Sequence, residues 1–393
     1  MITPEKALEY YKKYGSKRKG AEAAGLPRTT FRRLLAKADA SIPEHEKDLK
    51  IRRQENIISN LRQELKRAQD ERLTNETVKK YIIGVRSQDT DTLSWTARKD
   101  AQTSDDNIPV LLLGDLHWGE VIKPSQVFGL NEYNLAIATE RLKRLTENAI
   151  WLLRSHLSKR NYPGFVLALN GDLVAGDIHE ELSETNEQAI MPTVIDVYQN
   201  LKTMISTFAD EFGKVFVPCT YGNHGRVNKK PQHKAQAYKN FDWLIYTLLA
   251  QWFQDDPRVT FLIGDDDEIQ YEVNGHIYRQ THGAQFRGGT GFLGAVAVVA
   301  RGSNKKRIAS QSQNMVFDTL LLSHFHQVYW HRHFVVSGSL PGYSEYGADL
   351  NFEYEPPQMI MWLTDPIYGK VSPMEVRCEE GPPKPANPTQ VNF

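Results

Sequence analysis

From Ile108 onward, short apolar runs alternate with longer stretches in which apolar residues recur every three or four positions. Unbroken or alternating apolar runs mark strands and the longer period marks helices, so this half of the pattern predicts an α/β domain. Strands are expected over 108–113, 165–169, 215–218, 259–263, 277–280, 319–322, 334–336 and 359–363. Between the first two, Leu135, Leu142, Leu145, Ala149 and Leu152 share one face of a helix expected over 133–158. Further helices are expected over 189–212 and 241–253.

Ahead of this body the pattern changes. Residues 1–40 read as three short helices, over 4–13, 17–24 and 28–38. Ala7, Leu8 and Tyr11 line the first, which Gly15 stops; Ser16 caps the second, which carries Ala21, Ala23 and Ala24. Gly25-Leu26-Pro27 makes a turn, and Phe31, Leu34 and Leu35 face inward on the third. A small-residue helix, a glycine turn, then a helix opening with Arg28, Thr29, Thr30, Arg32 and Arg33 resembles a helix-turn-helix. That resemblance implies DNA binding, with the last helix in the major groove and the basic residues on phosphates. The alternative is a small helical bundle that packs or binds protein. Residues 41–83 are charged and largely free of helix breakers, with Ile51, Ile58 and Leu65 seven apart and Leu61 and Ala68 interleaved. This is the seam of a short coiled coil, interrupted at Gln54 and Arg72, which would pair two chains into a homodimer or lie on its own chain. Residues 84–107 read as a polar linker and 371–393, with five prolines, as an extended tail.

Composition adds three constraints. An apolar fraction of 40% and a charged fraction of 24% suit a globular protein. The two cysteines, Cys219 and Cys378, exclude a disulfide framework or a thiolate zinc site. No signal-like start and no run of about 18 apolar residues is present, so a cytoplasmic protein without a membrane span is expected. The net charge of zero conceals a split: residues 1–80 hold 20 Lys and Arg against 12 Asp and Glu, leaving 28 against 36 elsewhere. A basic front end on an acidic body fits a nucleic-acid-facing module on a separate domain.

The chemistry sits where the strands end. The first ends in Gly114-Asp115-Leu116-His117, the second in Asn170-Gly171-Asp172, and the third in Gly222-Asn223-His224. Two later strands end in Thr281-His282-Gly283 and Ser323-His324-Phe325-His326. Five strands thus deliver Asp, Asn or His to one edge of a sheet, where sites form in α/β folds. Buried Asp and His are costly unless paired or metal-bound, so packing alone does not account for five such ends.

These motifs, in this order, resemble the calcineurin-like metallophosphoesterase superfamily over about two-thirds of the chain. The longer pattern, including 285–289, resembles phosphoesterases carried by bacterial viruses, which would place the protein in a host cytoplasm. The resemblance implies a four-layer α/β/β/α sandwich over 108–370, holding two adjacent divalent ions. Asp115, His117, Asp172 and His326 would hold one; Asp172, Asn223, His282 and His324 would hold the other, with Asp172 bridging. Carboxylate, amide and imidazole donors suit Mn²⁺, with Fe or Zn²⁺ next. Such a pair binds phosphate oxygens, acidifies a bridging water and supports in-line attack at phosphorus. His224 is implied to protonate the leaving oxygen. Arg226, Lys229, Lys230 and Arg287 are candidate substrate contacts, with His233 and Lys234 nearby.

The sequence departs from the family at Gly225, where an acidic residue often follows Gly-Asn-His, so the carboxylate orienting His224 is expected from elsewhere. Ser323 stands where the family has Gly. Ala175 stands where the distantly related SbcD-like nucleases carry His, with His179 nearby. Gly289-Thr290-Gly291-Phe292-Leu293-Gly294 matches a dinucleotide fingerprint only by composition, because no acidic residue follows at the required distance. His331, His333 and the basic run Arg301, Lys305, Lys306 and Arg307 read as surface or core positions. Three functions follow: a DNA-cleaving phosphodiesterase, a phosphomonoesterase or cyclic-nucleotide phosphodiesterase, and a non-catalytic DNA-binding regulator with a structural metal.

Overall fold

The structure, a computed structural model, describes residues 2–40, 96, 106–157, 161–178, 180–230, 235–286, 294–349 and 354–379. The expected coiled coil and most of the linker lie outside them, as do His179, His233, Lys234 and Arg287. The chain divides into two compact units, Met1–Gly84 and Val85–Phe393.

In the first unit, α1 (Pro4–Tyr14), α2 (Lys17–Ala23) and α3 (Arg28–Ala40) form where the periodicity places them. The Thr3 and Ser16 hydroxyls accept the N–H groups of Lys6 and Lys19, each satisfying a donor that the first helical turn leaves free. Ala7, Ala21, Phe31 and Leu35 are buried together. Gly20 lets α2 close on α3, since a Cβ there would meet the Phe31 ring at 3.0 Å. The outer face of α3 exposes Arg28, Thr29, Arg32, Arg33 and Lys37, with Thr30 half-buried.

The second unit is built on two sheets. The first has strand order β11-β10-β1-β2-β3-β4. Its centre is β1 (Ile108–Leu113), β2 (Phe165–Leu169), β3 (Val215–Cys219) and β4 (Val259–Ile263), all parallel. β10 (Gln358–Asp365) runs antiparallel to β1, and β11 (Gly369–Arg377) antiparallel to β10. The second sheet has order β5-β6-β7-β9-β8. It comprises β5 (Glu268–Val273), β6 (His276–Thr281), β7 (Thr319–Leu322), β8 (Tyr329–His331) and β9 (Phe334–Val336).

Alternate residues of β1 explain the layering. Leu111 and Leu113 face a core shared with α4 (Leu135–Trp151) and, after the short α5 (Glu180–Thr185), with α6 (Ile190–Phe212) and α7 (Phe241–Trp252). Val110 and Leu112 face the second sheet, sharing a core with its Tyr271, Tyr278, Leu321 and Val335 and with Trp362 of neighbouring β10. Beyond that sheet, Val299 of α8 (Gly294–Ser312) packs on Leu320, Leu322, Phe334 and Val336. The order is therefore α/β/β/α. Strands covered on both faces read as continuous apolar runs, which is why the central ones were visible in the sequence.

Three expectations change. The five motif-bearing strands belong to two facing sheets, not one: β1, β2 and β3 to the first, β6 and β7 to the second. The stretch from 371 does not begin as a tail, because β11 continues to Arg377, with Val376 and Cys378 buried. The linker is anchored at Thr96, whose carbonyl accepts the Asn274 N–H at 2.6 Å. No helix among the described residues is long and apolar enough to cross a membrane.

Candidate metal centre

The loops after β1, β2, β3, β6 and β7 meet at one edge of the sandwich. There, ligand atoms of Asp115, His117 and His326 lie within 4.8 Å of one another, as do those of Asp172, His282 and His324. A third group joins His117, Asp172 and His224, so the two main clusters are contiguous. Asp115 Oδ1 is 3.7 Å from His326 Nε2 and 3.9 Å from the Nε2 atoms of His117 and His282. His282 Nε2 is 2.8 Å from Asp172 Oδ2, and the Nε2 atoms of His117 and His326 face each other at 3.1 Å.

Local backbone geometry aims these side chains. Asp115, His117, Asp172, His324 and His326 all adopt left-handed conformations, with φ of 50°, 43°, 51°, 72° and 55°. They are half of the ten non-glycine residues with positive φ among the described residues. Asp and His tolerate this region better than most residues, but each such position costs about 1–3 kcal/mol and persists only where surrounding structure enforces it. Gly171 (φ 80°) has no alternative, because a Cβ would strike the Gly222 backbone of the neighbouring loop.

Hydrogen bonds then fix which ring nitrogen faces inward. His282 Nδ1 is 2.8 Å from the Asn170 carbonyl and His224 Nδ1 is 2.8 Å from the Ala175 carbonyl, so each donates outward and presents Nε2 to the site. His224 N–H donates to Asp172 Oδ1 at 2.6 Å, and His324 N–H to Asp115 Oδ2 at 2.7 Å. Asp115 Oδ1 and Asn223 Oδ1 are buried with no hydrogen-bond partner. Two buried acceptor oxygens without donors are costly in a proton-only account. Electron-pair donors of O and N type suit a divalent cation, so the residues fit the ions that the motifs imply.

Titration behaviour reflects the same crowding. Burial, with Asp172 adding, pushes the Asp115 carboxyl up to about 8. Burial opposes the charge on His282, but Asp172 and then Asp115 outweigh it and raise the imidazole to about 10. Burial holds His324 down to about 3 and His326 to about 4, and also depresses His117. Neutral imidazoles, as at His117, His324 and His326, are the metal-binding form, and an ion at His282 would displace the proton it shares with Asp172.

Of the sequence candidates, the six Asp and His metal positions and His224 are brought together, and Asn223 lies between two residues of the same network. Arg226 is half-buried and donates to the Lys229 carbonyl at 3.4 Å, while Lys229 and Lys230 are exposed. His331 stacks on Phe334, and neither it nor His333 joins a cluster among the described residues. The glycine-rich decoy lies mostly outside the described residues; its Gly294 opens α8, where Lys306 pairs with Glu268. The orienting carboxylate expected for His224 is a carbonyl instead, that of Ala175. Sequence reasoning named Asn170 only as part of the second motif, with no role, and missed Glu120 and Asp242. Asn170 is buried between the sheets, accepting from Thr220 at 2.6 Å and donating to Ser323 at 3.0 Å. Glu120 Oε2 lies 3.4 Å from His117 Nδ1, with its own carboxyl pushed to about 8 by burial and Glu345.

No protein-family model matches the chain, and no curated protein matches its sequence. Among solved structures, wild-type Vps29 complexed with Zn²⁺ from Entamoeba histolytica is 13% identical, with TM-score 0.26, covering 69% of this chain and 99% of that one. Vps29 from Chaetomium thermophilum is 11% identical, with TM-score 0.29, covering 68% and 97%. Sulfate thiohydrolase SoxB from Thermus thermophilus, in complex with glycerol, is 9% identical, with TM-score 0.29, covering 71% and 58%.

Proposed function

We propose that the chain is a phosphoesterase dependent on divalent metal ions, and that its substrate is DNA. One observation carries the first part: two contiguous Asp/His clusters around Asp115 Oδ1, a buried carboxylate oxygen that lacks any hydrogen-bond partner. Asp115, His117 and His326 would hold one ion and Asn223, His282 and His324 the other, with Asp172 shared. Divalent ions held there supply charge to phosphate oxygens and acidity to bound water. The protein's own contribution is orientation. The Ala175 carbonyl keeps the His224 proton on Nδ1 and leaves Nε2 facing the site, where the protonated ring can donate to a leaving oxygen. O and N donors without thiolate favour Mn²⁺ over softer alternatives.

DNA as the substrate rests on the first unit. Arg28, Thr29, Arg32, Arg33 and Lys37 are exposed on α3, a basic helix face of the kind that enters a DNA groove. A second reading, a small phosphate ester, is favoured by the exposed Asp266 and Asp267 beside the site, where the Asp267 carbonyl accepts the Thr281 hydroxyl next to His282 at 2.8 Å. Acidic groups beside the site repel a polyanion on that side. The deciding experiment incubates the full chain with Mn²⁺ and single- and double-stranded DNA, p-nitrophenyl phosphate or cyclic nucleotides. DNA cleavage lost in Asp115→Asn and His224→Ala is expected. Rapid turnover of the small esters with DNA untouched would overturn the nuclease reading, and no turnover of any ester would overturn the enzyme.

A further inference from the structure

Asp242 is fully buried at the start of α7, and its carboxylate is spent on two loops of the metal centre. Oδ2 accepts the N–H of Asp172 and the N–H of Gly222, each at 2.9 Å, and Oδ1 accepts the N–H of Leu173 at 3.0 Å. One carboxylate therefore ties the loop after β2 to the loop after β3. It also holds the peptide on which Asp172 keeps its left-handed conformation. Neighbours on α7 brace the same pair of loops. The Tyr246 hydroxyl accepts the Gly171 N–H at 3.1 Å and donates to the Thr220 carbonyl at 3.0 Å. Asn240 donates to the Gly222 carbonyl at 2.8 Å and caps the helix by accepting the Asp242 N–H at 2.8 Å.

A second observation concerns Gly225. A Cβ there would lie 3.1 Å from Asp242 Cγ and closer still to Asn240 Oδ1. The space in which a side chain at 225 would sit is thus already filled from the start of α7, by the Asn240 amide oxygen with the Asp242 carboxylate beside it. Glycine at 225 and aspartate at 242 are complementary.

We infer that Asp242 is a positioning residue for the metal centre: its carboxylate, standing beside the side-chain space of Gly225, sets the backbone from which Asp172 and Asn223 reach the ions. This rests on the metal reading above. Backbone N–H groups are rigid donors, and a carboxylate accepting three of them fixes both loops more tightly than a neutral acceptor does. Asparagine is nearly isosteric but offers one acceptor oxygen, so Asp242→Asn turns its NH2 either on the Leu173 N–H or on the N–H groups of Asp172 and Gly222, and at least one of the three bonds becomes a donor–donor clash.

The test uses the full chain and titrates Mn²⁺ and Zn²⁺ by calorimetry, alongside thermal unfolding of the metal-free protein. Asp242→Asn is expected to lose about 10- to 100-fold in ion affinity, the range seen for groups that orient ligands without touching metal. Asp242→Ala, which removes all three acceptors, is expected to lose at least as much. A purely structural role would lower the unfolding temperature and leave affinity unchanged, which overturns the inference. Should Asp242→Asn fail to fold, Gly225→Ala displaces the carboxylate without removing it, and wild-type affinity there is equally fatal. Wild-type protein that binds no divalent ion would instead bring down the metal reading itself, and the inference with it.

Discussion

Replacing Asn170 by alanine probes the seam between the two sheets. Asn170 has no exposed surface, and its amide accepts from Thr220 at 2.6 Å and donates to the Ser323 hydroxyl at 3.0 Å and the Thr281 carbonyl at 3.2 Å. Thr281 and Ser323 belong to the second sheet's side of the seam and Thr220 to the first's. Each lost hydrogen bond is worth about 1 kcal/mol net, and a buried group left without a partner costs about 1–3 kcal/mol. Three stranded partners at about 1–3 kcal/mol each give an expected loss of about 3–9 kcal/mol. The backbone carbonyl of Asn170, which orients His282, is untouched by the substitution, so the loss belongs to sheet register and not to a missing ligand. Urea unfolding of the metal-free protein, followed by fluorescence, measures it as a shifted midpoint at unchanged slope. A loss below about 1 kcal/mol would refute the reasoning, since it would mean that water satisfies the stranded groups and that the sheets do not depend on this residue.

Glu268 pairs with Arg279 of β6 and Lys306 of α8, joining the outer helix to its sheet. Burial opposes its charge, but the two cations outweigh this and hold its carboxyl below the ordinary value of 4.5. A depressed folded value means that the contribution is present at neutral pH and is lost as pH falls through that value. Glu268→Gln is therefore expected to destabilise by about 1–3 kcal/mol at pH 7, with the difference from wild type shrinking below about pH 4 in unfolding measurements. In the first unit, Ser16→Ala removes the cap of α2 and is expected to cost about 1 kcal/mol, read from urea unfolding of the helical signal. Added Mn²⁺ or Zn²⁺ is expected to stabilise the second unit by about 2.7 kcal/mol at one hundred times the dissociation constant. Asp172→Asn should abolish that gain in a melting assay.

How much of this was legible follows from sequence separation. β1, β2 and β3 announce themselves as apolar runs stopped by Gly and Asp or Asn, because both faces of each strand are covered. The hairpin of β5 and β6 carried an Asn274-Gly275 turn between alternating residues, a strong local signal, yet only its second arm was expected. β8 and β11 are edge strands with exposed residues, and α8 mixes small and basic residues, so none shows a clear apolar period. The candidate ligands were legible as residue types at strand ends. Their supports were not. Asp242 meets Asp172 across 70 residues and Asn170 meets Ser323 across 153, and neither pairing leaves a local trace.

The five left-handed residues at the metal centre also set a direction for evolution in the laboratory. Glycine at 115, 117, 172, 324 or 326 would relieve about 1–3 kcal/mol of backbone strain at each position while deleting a donor atom. Selection of variants for heat resistance alone, in a chelated medium, therefore rewards dismantling the site one glycine at a time. A thermostable lineage of this protein stays competent only if turnover is screened in the same round.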